Sequence, residues 1–354
     1  MVCIAAFIVL CVLGIFSARY RALAAEAWNC VAKRVTFRAC DTNFGERIKG
    51  KLLGKIVFSH PRLYRILGKW FDFLAFVFVI LTIWSLLYVL VAGMNYVVYD
   101  TCNPQNSESC SLGGEACSIG QASVGFIGSV ETNQEWTWAK TETKQIGTTI
   151  SLLPSALKNW KATDFVNSDS TYYYKYDASK PTAVEAVDPG CVYCGKLFAN
   201  IKSADFESKY NLTYILYPIP DPQTSSGYKF PNSYLMATYV EAAKSVTPAN
   251  PVSNESPDWQ LLEKIYTEPG AQSMLDYSYN SSQAEDWLHQ ALKEIGYSDQ
   301  QVTQIDVDAS SQTVKQAIAS QRITVEQKIK TVKIPTIIFG GHRYERVIDV
   351  KQLK

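Results

Sequence analysis

Two cysteines three residues apart, Cys191 and Cys194, stand in the stretch Asp188-Pro189-Gly190-Cys191-Val192-Tyr193-Cys194-Gly195-Lys196-Leu197-Phe198. The apolar run 182–187 precedes them, and Leu197, Phe198 and Ile201 follow at helical spacing. At the first turn of a helix the two sulfurs are close enough to bridge, and the helix N-terminus stabilises a thiolate on the first. The chemistry this supports is thiol–disulfide exchange, with Cys191 attacking and Cys194 resolving. A CxxC is also half of a zinc site. The sequence holds no second CxxC, and its three histidines, His60, His289 and His342, are remote, so no metal and no cofactor is expected. Delivery of Cu(I) through the two thiols is a further alternative. No phosphate loop or hydrolase triad is present, and a net charge of +1 gives no reason to expect a nucleic-acid partner.

The elements around the thiols read as an α/β core. The run 182–187 ends at Pro189-Gly190 as a buried strand, and 212–217 is a second strand closed by Pro218, Pro220 and Pro222. Strand, helix and strand in that order imply a right-handed parallel crossover. A helical block follows, with helices expected at 233–243, 259–266 and 313–320, and one opened by a capping box at Ser282 and Glu285 and stopped at Gly296. His289 on that helix reads as a solvated surface residue. Near the end, Ile334-Pro335-Thr336 leads through Gly340-Gly341 into a hairpin. A proline at the head of an apolar strand cannot donate to a ladder, so it sits at an end or in a special bond. Upstream, 146–160 reads as a helix broken near Pro154 and 171–176 as a strand.

Residues 1–18 and 73–99 carry no charge, and both are long enough to cross a bilayer. A signal peptide is the alternative for the first, but its arginines, Arg19 and Arg21, follow the apolar run instead of preceding it. Between Arg19 and Lys69 stand twelve Lys/Arg against Glu26, Asp41 and Glu46. The positive-inside rule puts this basic loop in the cytoplasm and everything after Tyr99 outside. Two stripes in the loop, Ile48, Leu52 and Ile56, then Leu63, Ile66, Leu67 and Trp70, suit helices lying on the lipid bilayer. Cys30 and Cys40 there are expected reduced. Cys102, Cys110 and Cys117 lie in a Ser- and Gly-rich loop outside, where disulfides form; they are structural disulfide candidates, expected as one local bridge and a leftover thiol, with the pairing open.

Taken together, the strand bearing Glu185, the Cys191-Val192-Tyr193-Cys194 helix start, Ile334-Pro335-Thr336 and the closing hairpin resemble the thioredoxin superfamily. The long separation between Cys194 and Pro335 resembles its DsbA-like branch, in which a helical insertion splits the core. The resemblance implies that Pro335 is a cis-proline beside the thiols. Its neighbours Ile334 and Thr336 would then dock an extended substrate peptide. It also implies that Glu185, six residues before Cys191, is a buried carboxylate passing protons to and from Cys194. The short tail after the hairpin departs from the usual C-terminal helix, so either another segment, such as 140–165, covers that sheet face or the sheet is arranged differently.

The expected architecture is a transmembrane helix at 1–18, a basic cytoplasmic loop at 19–72, a second transmembrane helix at 73–99 and a juxtamembrane loop at 100–135. A thioredoxin-like domain at 136–354 follows, with an insertion at about 231–325. The expected function is a thiol–disulfide oxidoreductase in the plasma membrane of a prokaryote, acting outside the cytoplasm on protein substrates and recycled by a redox partner protein. The alternative is a membrane-anchored binding or assembly module whose CxxC is a static disulfide.

Overall fold

The structure is a computed structural model that describes residues 2–16, 18–36, 61–105, 110, 114–119 and 125–354. Cys40 and the stripe of Ile48, Leu52 and Ile56 lie outside the described residues. The chain forms two compact units, Met1–Leu90 and Val91–Lys354.

In the first unit, the helices Val2–Phe16 and Ala18–Val35 pack together through Leu10, Ala24, Ala27 and Cys30. The first of these helices has 15 residues, about 22 Å of length against a hydrocarbon core of about 30 Å. Among the described residues only Phe73–Tyr99, 27 residues long, is both long and apolar enough to cross a membrane. This corrects the expectation of two spans: an uncharged run met the length criterion, but its helix stops short and packs on its neighbour. The span belongs to the helix Pro61–Tyr99, which also takes in the second predicted stripe. Its apolar side chains, Leu81, Trp84, Leu86 and Tyr88 among them, are exposed, as those of a lipid-facing helix are. Cys30 is disulfide-bonded, not the reduced thiol expected.

The second unit is built on a four-stranded sheet of β2 (Thr182–Val187), β3 (Asn211–Leu216), β5 (Thr336–Phe339) and β6 (His342–Tyr344), in the order β3-β2-β5-β6. β2 and β3 pair in parallel through the crossover helix Val192–Ser203, whereas β5 pairs antiparallel with β2 and β6. The parallel pair β2 and β3 is buried almost throughout, which is why both read as apolar runs without alternation. A separate two-stranded ladder joins β1 (Cys117–Ser118) to β4 (Lys333–Ile334).

The predicted insertion is present as the helices Ser233–Ala243, Pro257–Thr267, Ser281–Glu294, Asp299–Ala309 and Gln312–Ile323. The capping box sits two residues before its predicted position: Asn280 Oδ1 accepts from the Gln283 amide and Gln283 Oε1 from the Asn280 amide. Asparagine caps as well as serine, and Asn280 and Gln283 have the same spacing. His289 is half-buried and hydrogen-bonded, not simply a solvated surface residue. Its Nε2 lies 2.6 Å from Asp306 Oδ1 and 3.2 Å from the Tyr239 hydroxyl, tying three insertion helices together.

Other local expectations shift for tertiary reasons. Pro154 sits in the last turn of the helix Glu135–Ala156, where it forgoes the bond to the Ile150 carbonyl, and the helix ends two residues after it instead of breaking and continuing to Trp160. Segment 171–176 is not a strand; it touches β3 by the single bridge from Tyr172 to Thr213, after which Tyr173 turns in to bury its ring. The sheet face left uncovered by the short terminal helix Val350–Leu353 is partly filled by Trp160, Ala162 and Phe165, within the range expected.

Trp259 of the insertion is fully buried, with its ring 5.4 Å from Tyr173, 6.2 Å from Phe198 and 4.7 Å from Tyr214. This cluster locks the insertion to the thiol helix and to β3. Trp259→Ala is expected to cost about 3–5 kcal/mol of stability. Urea denaturation of the protein in detergent measures it, and a loss below 1 kcal/mol would show that the insertion does not hold the core.

Candidate active site

The turn between β2 and the thiol helix is organised by Asp188. Its Oδ1 accepts from the Gly190 amide at 2.9 Å and from the Ser233 hydroxyl, and its Oδ2 accepts from the Ile219 amide at 2.7 Å. Even with these bonds, burial pushes its carboxyl up to about 6. Asp188 therefore belongs to the turn, as its position next to Pro189-Gly190 predicts. Cys191 is the N-cap of the helix Val192–Ser203, and its carbonyl accepts from the Cys194 amide at 2.9 Å. Its sulfur lies at the positive end of the helix, where a thiolate is favoured.

Opposite the thiols, the Ile334-Pro335 peptide is cis. Cys191 Sγ lies 3.5 Å from the Ile334 carbonyl oxygen. Thr336 is buried, and its hydroxyl bonds Thr331 and donates to the Lys333 carbonyl at 2.7 Å, so its side chain shapes the loop from inside. Ile334 contributes its main chain, which pairs with β1.

The disulfide pattern differs from expectation. Cys102 and Cys110 form the local bridge, but Cys117 is not left over: it is joined to Cys191 across 74 residues. Cys194 is a free thiol, and both members of the CxxC are fully buried. Nothing in the sequence marks Cys117 as the partner, because the pairing depends on the 114–119 segment crossing to β4.

Beneath the thiols, Glu185 is fully buried on β2, and neither carboxylate oxygen has a hydrogen-bond partner among the described residues. Burial pushes its carboxyl up to about 8. Burial also drives the Cys194 thiol well above its ordinary range. The charges of Asp188 and Glu185 add to this, while a backbone hydrogen bond at Asp188 and the Tyr266 hydroxyl oppose it. Sequence reasoning missed Tyr266, whose hydroxyl also donates to the Asp188 carbonyl at 3.2 Å. It missed Asp276 as well, a carboxyl that burial and the charge of Asp188 push up to about 8. Both come from the insertion, whose helical pattern carries no sign of which residues reach the thiols.

The sheet order, the thiol pair at the start of the crossover helix, the cis-proline facing it and the insertion between the core halves make this a thioredoxin-like fold with a helical insertion. Neither a protein-family model nor a curated protein matches the sequence. Solved structures similar to this chain include a thioredoxin-like oxidoreductase from Silicibacter pomeroyi DSS-3, with 19% identity and a TM-score of 0.36 over 53% of this chain and 90% of that one. The thiol-disulfide exchange protein alpha-DsbA2 from Wolbachia pipientis is 16% identical, with a TM-score of 0.38 over 54% and 87% of the two chains. The thiol-disulfide oxidoreductase MdbA from Corynebacterium diphtheriae is 12% identical, with a TM-score of 0.39 over 53% and 95%.

Proposed function

We propose that this protein is a membrane-anchored thiol–disulfide oxidoreductase whose thioredoxin-like domain works outside the cytoplasm on cysteine-bearing segments of other proteins. Cys191 is the attacking thiolate, Cys194 the resolving thiol, and Glu185 the group that exchanges a proton with Cys194. The main chain around Ile334 and Pro335 is the docking edge. The observation that carries this reading is that Cys191 Sγ, at a helix N-terminus and 3.5 Å from the Ile334 carbonyl oxygen, already bears a disulfide to a cysteine on a strand paired with Ile334. The site thus has room for a mixed disulfide in an extended peptide.

The anchor in this reading is the single span Phe73–Tyr99 in the plasma membrane of a prokaryote. The basic residues before the span favour the cytoplasm, so the domain after it lies on the opposite side. A redox partner protein restores Cys191 and Cys194 after each turnover. The direction of electron flow follows from the reduction potential of that pair, measured by equilibration with glutathione.

Cys117→Ser/Cys194→Ala, which frees Cys191 from its internal disulfide, is expected to trap substrate proteins through Cys191 in membranes, as adducts that run apart on non-reducing gels and collapse with reductant. Absence of adducts, together with failure of the purified protein to turn over a fluorogenic test disulfide, would remove the enzyme reading. The complete burial of Cys191 favours a second reading, an assembly module in which the disulfide is static. A static bridge resists mild reductant, whereas an exchange site opens within the assay.

A further inference from the structure

The segment 114–119 lies along β4 as an added antiparallel strand, with Cys117 opposite Ile334 and Ser118 opposite Lys333. Its main chain is held beyond that ladder: the Ile119 amide donates to the Val332 carbonyl at 2.9 Å, and the Glu115 carbonyl accepts from the Val347 amide at 2.9 Å. Lys229 Nζ donates to the Ser118 carbonyl at 3.2 Å, and the Glu115 carboxylate pairs with Lys196 on the thiol helix. Main-chain pairing along an exposed strand edge is the usual way an extended peptide is recognised. Here the edge is taken by the chain itself, and Cys191 beneath it has no exposed surface.

We propose that Cys117 is a third exchange cysteine and that residues 114–119 are a built-in substrate mimic occupying the docking edge until Cys194 displaces them. The inference rests on the oxidoreductase reading above and adds what occupies the site and what form a substrate takes. In the exchange, Cys194 loses its proton and attacks Cys191 Sγ. The bond between Cys191 and Cys194 forms, the bond between Cys191 and Cys117 breaks, and Cys117 leaves as a thiolate that regains a proton. One disulfide and one thiol stand on each side, so the step needs no oxidant or reductant. Afterwards the CxxC is oxidised and the edge is open to an incoming strand that presents a cysteine between small residues, as Ala116 and Ser118 flank Cys117.

The mimic competes in cis at an effective concentration of the order of millimolar. Against a micromolar substrate, Cys117→Ser is therefore expected to raise turnover of a fluorogenic test disulfide by about tenfold or more. The experiment uses the full chain in detergent, quenched with acid and mapped by mass spectrometry of non-reduced peptides. After equilibration in a glutathione buffer, wild type is expected to show linkages of Cys191 to both Cys117 and Cys194, in a proportion set by their relative stability because the exchange is redox-neutral. Cys194→Ala is expected to show only the linkage to Cys117. Should Cys117→Ser fail to fold, Glu115→Lys, which sets two cations against each other at residue 196, is expected to move the population toward the linkage of Cys191 with Cys194. A synthetic peptide of residues 114–119, supplied with its cysteine as the mixed disulfide with glutathione, is expected to form an adduct at Cys191 of Cys117→Ser/Cys194→Ala, releasing glutathione, faster than a scrambled peptide in the same form does.

A linkage of Cys117 to Cys191 with no detectable linkage of Cys191 to Cys194 after equilibration with glutathione overturns the proposal. So does turnover that needs Cys191 but is the same in wild type and Cys117→Ser, with the enzyme reading left standing. Redistribution among the three cysteines without any turnover supports the internal exchange and removes the enzyme reading instead.

Discussion

Cys191→Ser is expected to abolish disulfide exchange, with a loss of at least about a thousandfold, or about 4 kcal/mol in the activation barrier. In the proposed site the sulfur at the helix N-terminus is the atom that attacks a substrate disulfide, and a hydroxyl there is neither ionised nor able to form the mixed intermediate. The same substitution deletes the crosslink between residues separated by 74 positions. The oxidised protein is therefore expected to lose up to about 4 kcal/mol of stability as well, by the loop-closure argument. The two effects separate in Cys117→Ser, which loses the same crosslink but keeps the nucleophile. Turnover assays on both variants, with urea titrations in oxidising buffer, read the pair. Residual exchange in Cys191→Ser above a tenth of wild type would move the chemistry to another cysteine.

Glu185→Leu is expected to make the protein more stable and slower. In the folded chain Glu185 is held near 8 by burial, against an ordinary value of 4.5. Between those values the folded state keeps a proton that the unfolded state has released. Stability from this group is therefore fully present below about 4.5, declines as pH rises toward 8, and is flat above it. The decline across that window is of the order of 4 kcal/mol. Leucine fits the site better than glutamine as a test, because an amide in a pocket without partners keeps a desolvation cost. Thermal unfolding of Glu185→Leu should lose this slope between pH 5 and 8, and exchange at neutral pH should slow by about a hundredfold if the carboxyl passes the proton of Cys194. A flattened stability profile with unchanged turnover would make Glu185 a buried acid without a part in the chemistry.

Much of the fold was legible because its signals are local. β2 and β3 show as apolar runs ended by Pro189-Gly190 and by Pro218, and the hairpin of β5 and β6 shows through Gly340-Gly341, both at positive φ. The insertion helices follow the 3.6-residue period. Even where a boundary moved, as at the cap of Ser281–Glu294, the same capping chemistry applied two residues earlier. The first apolar run misled because composition sets whether a helix can enter lipid but not where it stops or what it packs against. Its 15 residues end at Phe16, and Ala27 and Cys30 of the next helix pack with its Leu10.

The candidate site divides along the same line. By itself the sequence determined the pair Cys191 and Cys194 at a helix start, the carboxyl of Glu185 on the strand before it and a proline heading the strand after the insertion, since each is a matter of spacing within one element. Only the tertiary structure decided what meets them. Cys117 reaches Cys191 because its segment pairs with β4, Tyr266 reaches Cys194 because its helix packs on the thiol helix, and Glu185 has no hydrogen-bond partner among the described residues because the core closes over it. These contacts are made between residues far apart in the chain, where composition and periodicity carry no record of what the folded backbone brings together.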